Sequence, residues 1–171
     1  MRVLLAAAVL LTSFVSAAAE PPTGFSDFKW GTRPDVIREQ LLSKRCREQG
    51  ESRGVWYSLE CHNYSAEGLS LPFLRLDFEP GDSLAGYYMT IARGSYPRFR
   101  DLALQRFGPP TSRRTQLFQG TVMSWVSQGV RATLIEKCGV DISCIDVATA
   151  VIDRRRQQLQ ERERRDAVQS F

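Results

Sequence analysis

Apolar residues fall along this chain in two kinds of group: one almost unbroken run near the start, Val3 to Val15, and, from Phe25 onward, short groups with strand or helix spacing. Phe28 and Trp30 alternate with polar neighbours and lead into a helix start. Thr32 is placed to cap that helix, Pro34 fits its first turn, and Asp35 completes a capping-box spacing near the positive helix end. Val36, Ile37 and Leu41 give it an apolar face as far as about Arg45. Gly50 and Gly54 break the chain. Val55, Tyr57, Leu59 and Cys61 then alternate with Trp56, Ser58, Glu60 and His62, the period of a half-buried strand. Leu71 to Phe78 reads as a second strand, Glu79 to Asp82 as a turn, and Leu84 to Ala92 as the returning arm of a hairpin.

The same grammar then recurs. Gly94-Ser95-Tyr96-Pro97 repeats Gly31-Thr32-Arg33-Pro34, a glycine and a hydroxyl followed by proline inside a first helical turn. Phe99, Leu102, Ala103 and Phe107 make the buried face of this second helix, and Gly108-Pro109-Pro110 stops it. Strands are predicted at Arg113 to Phe118, Thr121 to Ser127 and Val130 to Lys137, separated by Gln119-Gly120 and Gln128-Gly129, with a last short strand from Cys144 to Thr149. Together these elements predict one α+β domain over residues 20–149, an antiparallel sheet with helices on one side, and a helix-plus-three-strand unit occurring twice. From residue 150 to 171 mixed charges outnumber large apolar residues, which predicts a charged helical tail whose first turns dock through Val151 and Ile152 and whose distal part is solvated and dispensable for folding. Its arginines also give it a basic strip suited to anionic lipid.

The 171-residue length, 43% hydrophobic residues and 25% charged residues fit a single compact domain. Met1-Arg2, the apolar run and Ala17-Ala18-Ala19 have the form of a cleavable signal peptide over residues 1–19, too short to span a bilayer. The mature chain is therefore expected in the periplasm or the medium, with no transmembrane segment. The formal net charge of +4, which loses one unit with Arg2, is too small to argue for nucleic acid. The expected partners are an envelope protein or an anionic envelope surface.

An oxidising compartment makes the four cysteines disulfide candidates. Cys46 and Cys61 lie symmetrically about Arg53-Gly54, and Cys138 and Cys144 flank Gly139-Val140-Asp141, so local pairs Cys46–Cys61 and Cys138–Cys144 are expected. With no Cys-x-x-Cys and a single histidine, neither a metal site nor a thioredoxin-like pair is predicted, and no cofactor motif occurs. His62 would have to serve any histidine-dependent mechanism, with Ser58, Ser65, Asp77 or Asp82 as conceivable partners. Glu60, Glu67, Asp77 and Glu79 are the carboxylates that could form an acid/base pair. No catalytic residue is assigned. For a binding surface the candidates are Trp56, Tyr87, Tyr88, Arg113 and Arg114, since large amphipathic rings and guanidinium groups anchor partners; Trp30 and Trp125 fit core positions better.

The segment Phe28-Lys29-Trp30-Gly31-Thr32 with Val36 and Leu41, the Cys-Cys loop, the hairpin, and Tyr96 to Phe107 followed by Gly108-Pro109-Pro110 and Trp125 resembles a group of small exported bacterial proteins of uncharacterised function. That group has an aromatic-x-Trp-Gly-Thr helix start and a later Gly-x-Pro helix stop. A more distant likeness is to the two-helix-plus-sheet modules of outer-membrane assembly lipoproteins and β-lactamase inhibitor proteins. The resemblance implies a soluble envelope protein and carries over no catalytic residue. The leading expectation is an exported, non-catalytic binding or accessory module; the alternative is a small envelope hydrolase using His62 or a carboxylate pair.

Overall fold

The computed structural model describes residues 23–41, 46–50, 57–66, 68–81 and 83–169. The expected signal peptide, Trp56, Glu67 and Asp82 lie outside these residues. A two-strand hairpin, β1 (Gly24–Phe25) and β2 (Phe28–Lys29), opens the fold and buries Phe25 and Phe28. Helix α1 (Pro34–Leu41) follows, burying Ile37 and Leu41 at the i, i+4 spacing of one helix face. Thr32 does not head this helix as expected. Its N–H bonds the Lys29 carbonyl and its own carbonyl accepts from Leu84 N–H, so its backbone is committed to the turn and to the sheet, and Pro34 begins the helix.

Four strands come next: β3 (Cys46–Gln49), β4 (Tyr57–Ala66), β5 (Leu69–Glu79) and β6 (Ser83–Ala92). Past a 3-10 turn at Arg93–Ser95, helix α2 (Tyr96–Phe107) buries Tyr96, Phe99, Ala103 and Phe107 and ends at Gly108, whose φ of 71° suits glycine. The Trp125 indole donates to the Gly108 carbonyl at 2.8 Å and its ring meets Phe107, so the helix stop is tied to the sheet. Then come β7 (Ser112–Gln116), β8 (Gly120–Ser127), β9 (Val130–Gly139), β10 (Ile142–Thr149) and helix α3 (Ala150–Gln169).

The eight strands from β3 onward form one antiparallel sheet in the order β3-β4-β5-β6-β10-β9-β8-β7. It consists of two meanders joined through their last strands. Each of α1 and α2 precedes four strands, not the expected three. The strand unseen in the sequence is β3, Cys-Arg-Glu-Gln at a sheet edge; three of its four residues are exposed, so it has no hydrophobic alternation to read.

Successive side chains of a strand face opposite sides, and β6 divides the molecule accordingly. Tyr87 is buried against Phe25 and Trp30, in the same core as Ile37, Leu41, Phe99, Phe107, Leu134 and Trp125. Helices α1 and α2 thus cover one face, as the sequence predicted. Helix α3 lies on the other: Ile152 forms a small separate cluster with Ala85 and Ala148, and Arg156 bonds Asp146, the cross-strand partner of Tyr88.

The first two turns of α3 are therefore docked, while side chains from Gln160 to Ala167 are exposed. Truncation after Gln157 removes little buried apolar area and is expected to shift the melting temperature by less than about 2 °C. Calorimetry of the two chains checks this; a loss of many degrees would place the distal turns against the domain.

Candidate functional site

The face that carries α3 has two features of chemical interest. The first is a polar network in its centre. Arg75 and Asp77 stand two apart in β5 and so share this face; Asp77 is fully buried and Arg75 6% exposed. Arg75 reaches Asp77 with a forked pair, Nε to Oδ1 at 2.7 Å and an Nη to Oδ2 at 3.2 Å. Arg156 of α3 then bridges two carboxylates, bonding Asp77 at 2.9 Å and Asp146 at 2.6 Å. Burial acts to lower the Arg75 pKa, but the adjoining Asp77 charge and its hydrogen bonds outweigh that and leave it raised. Gly86 pairs with Asp77 across β5 and β6, and a methyl there would come within 3.0 Å of the Val147 carbonyl on β10 and 3.5 Å of the Asp77 Cβ, so the backbone is close-packed beside the buried carboxylate.

Beside this network an aromatic strip crosses β4, β5 and β6. His62 lies 5.4 Å from Phe73 between ring centroids, and Phe73 lies 6.1 Å from Tyr88. The Arg75 guanidinium sits over the Tyr88 ring at 5.5 Å. His62 is exposed, and Phe73 and Tyr88 are half-buried. The strip ends near thiols: burial above all, and then the neighbouring Cys144 and Cys138, raise the Tyr88 pKa.

Of the two expected disulfides, Cys46–Cys61 is present between directly paired residues of β3 and β4, with Cα atoms 4.1 Å apart. Cys138 and Cys144 stand instead as two free thiols, the Cys138 thiol donating to the Ile142 carbonyl at 3.8 Å. Register explains the difference. Ile142 pairs Gly139 but Cys144 pairs Ile135, so a bulge sets Glu136, Lys137 and Cys138 across from Ser143 alone, and the two cysteines are not directly opposed.

The expected binding residues do not form one patch. Tyr87 is buried in the core and presents no surface. Tyr88 lies on the opposite face, in the strip just described. Arg113 and Arg114 are exposed on edge strand β7, four strand spacings from β6, or about 19 Å. Adjacent in a strand, they face opposite ways. Trp125 is buried, and Trp30 packs on the core through Tyr87, as their positions suggested.

The residues of the hydrolase reading are brought together in part: Ser58 pairs Asp77 and Glu60 pairs Arg75 across β4 and β5. His62 pairs with Phe73, four residues along β5 from Asp77, a distance of about 13 Å. Asp77 and Asp146 stand on β5 and β10 with β6 between them, and Arg156 occupies an oxygen of each. Among the described residues, no group of three or more His, Cys, Asp or Glu is arranged to hold a metal ion.

Of Arg75, Asp77, Asp146, Arg156 and Phe73, only Asp77 was a candidate, as a catalytic carboxylate and not as part of this network. A signal existed for the first two: Leu74-Arg75-Leu76-Asp77-Phe78 alternates strictly, and an Arg-x-Asp in such a strand places an ion pair on one face. Nothing local indicates that a helix about 80 residues later covers them.

The fold and site define an α+β protein built on an eight-stranded antiparallel sheet, with one sealed face and one face partly covered by α3. Comparison of the chain with protein-family models, curated proteins and solved structures gives no match. Among the described residues, no helix is long and apolar enough to cross a membrane.

Proposed function

We propose that the protein is an exported accessory module of the bacterial envelope that binds a protein partner through the aromatic strip on the α3 side of its sheet. The observation that carries this reading is the juxtaposition of His62, Phe73 and Tyr88 with the Arg75 guanidinium on a sheet face that α3 leaves partly open. Aromatic rings flanked by guanidinium groups supply large contact area at low entropic cost, the composition of interface anchor points. The disulfide Cys46–Cys61 and the absence of a membrane-spanning helix among the described residues are compatible with an extracytoplasmic location.

Affinity capture from envelope extract, with the mature protein as bait, tests the proposal. A specific partner should be retained by the wild type and lost with Phe73→Ala and Tyr88→Ala, each variant first verified as folded by its melting curve. A partner held equally well by both variants would place binding elsewhere. Turnover in a hydrolase screen that disappears with His62→Ala would replace the binding reading with the enzymatic one.

A further inference from the structure

One end of the sheet carries a cavity of about 620 Å³, lined by Arg93, Phe118, Lys137, Cys138, Val140 and Asp141 among others. Its rim includes the two hairpin turns β7–β8 and β9–β10. Phe118 and Val140 are 85% and 90% exposed there, an unusual placement for large apolar side chains. Arg93 donates to the Gly139 carbonyl at 2.8 Å and lies 3.7 Å from Asp141, whereas the exposed Lys137 side chain makes no salt bridge among the described residues and acts on the neighbouring Glu136 carboxylate only at longer range. Into this space opens one member of the thiol pair: Cys138 lines the cavity, while Cys144 is 3% exposed behind it.

We propose that Cys138 and Cys144 form a thiol–disulfide exchange site, with Cys138 as the attacking thiol, Cys144 as the resolving thiol, and an anionic low-molecular-weight disulfide as the substrate class. The asymmetry of the pair assigns the roles. Cys138 belongs to the cavity lining and is only half-buried, so it is the one open to an incoming disulfide, while the enclosed Cys144 can reach only its neighbour. Electrostatics acts in the same direction. The neighbouring Cys144 thiol holds the Cys138 thiol below its ordinary range, helped by the Tyr88 hydroxyl and the nearby Arg93 charge, whereas Cys144 is raised by Cys138 and by burial. Apolar Phe118 and Val140 give a ligand something to rest on. Lys137, with Arg93 deeper in, favours carboxylates on that ligand over ammonium groups.

The chemistry balances in two displacements. The Cys138 thiolate attacks one sulfur of the substrate disulfide, forming a mixed disulfide and expelling one thiolate. Cys144 then gives its proton to that departing thiolate and its sulfur attacks the Cys138 sulfur, closing the Cys138–Cys144 disulfide and releasing the second half as a thiolate that takes a proton from water. Two protein thiols are oxidised and one substrate disulfide is reduced to two thiols. Closure takes place between neighbouring strands, where the bulged segment of β9 that carries Cys138 lies across from the Ile142–Cys144 stretch of β10.

Oxidised glutathione is the probe. The mature protein is reduced under native conditions, desalted, exposed to the probe, quenched by alkylation and mapped by mass spectrometry without reduction, which distinguishes these cysteines from Cys46 and Cys61. Wild type should accumulate the Cys138–Cys144 linkage. Cys144→Ser should trap glutathione on Cys138, at about tenfold the level found on Cys144 in Cys138→Ser. Lys137→Glu should slow the reaction with oxidised glutathione and leave that with neutral oxidised 2-mercaptoethanol unchanged. Because a cysteine variant can misfold, alkylation of the reduced wild type with iodoacetamide provides a second reading, with Cys138 expected to label before Cys144. Equal adducts on the two cysteines, labelling of Cys144 first, or a Cys138–Cys144 bond that resists millimolar dithiothreitol in the folded protein would overturn the proposal.

Discussion

Replacing Asp77 with alanine should cost about 3–5 kcal/mol of stability, the largest loss expected from any single polar side chain in this protein. Asp77 has no exposed surface and its two oxygens accept from both Arg75 and Arg156. Removing the carboxylate leaves the Arg75 guanidinium, 6% exposed, charged and without its partner under the α3 helix, and it frees Arg156 from the sheet. A chain of this size should then melt roughly 10 °C lower. Three variants separate the causes. Asp77→Asn keeps the shape and an acceptor but removes the charge, and should fall between alanine and wild type. The double change Arg75→Met with Asp77→Leu removes both charges together and should recover much of the loss, since a buried pair replaced by apolar groups is often close to neutral. Urea denaturation at fixed pH measures all three; a loss below about 1 kcal/mol for Asp77→Ala would mean that Arg75 swings out to water.

Removal of the Cys46–Cys61 disulfide by alanine at both positions should destabilise the chain by about 3 kcal/mol, the chain-entropy value for a link between residues 15 apart. The effect should also be local. Three residues of β3, Arg47, Glu48 and Gln49, are exposed and add no apolar contact, so the strand is held by its ladder to β4, the disulfide and the ion pair from Arg38 of α1 to Glu48. Without the covalent link, amide protection along β3 should collapse, while β7, an edge strand at the far side of the same sheet, keeps its own. Uniform loss of protection across both edges would show instead that the disulfide stabilises the whole domain and not this edge.

Most elements were legible wherever local pattern and burial agree. Helix α2 carried its proline entry, its Phe99, Ala103 and Phe107 face and its glycine stop in plain view, and β4, β5, β6, β8, β9 and β10 follow from alternation bounded by turn residues. The site was read less well because its parts come from distant segments. Phe73 and Tyr88 meet through the register of β5 on β6, and Arg156 meets Asp77 only because α3 folds back over the sheet. Tyr87 and Tyr88 look equivalent as residues, yet the pleat sends one into the core and the other to the open face.

By itself, then, the sequence determined the fold class, nearly all of the helices and strands, and the cysteine pair Cys46–Cys61, since periodicity, capping residues and turn chemistry act between neighbours a few positions apart. Tertiary structure alone decided that β6 and β10 join the two meanders, that α3 takes the opposite face from α1 and α2, and that the β9 bulge leaves Cys138 and Cys144 as an unequal thiol pair at a cavity. Those outcomes rest on strand register and on the burial of charge between segments up to 79 residues apart, interactions whose strength depends on desolvation in the folded state and so leaves no periodic trace along the chain.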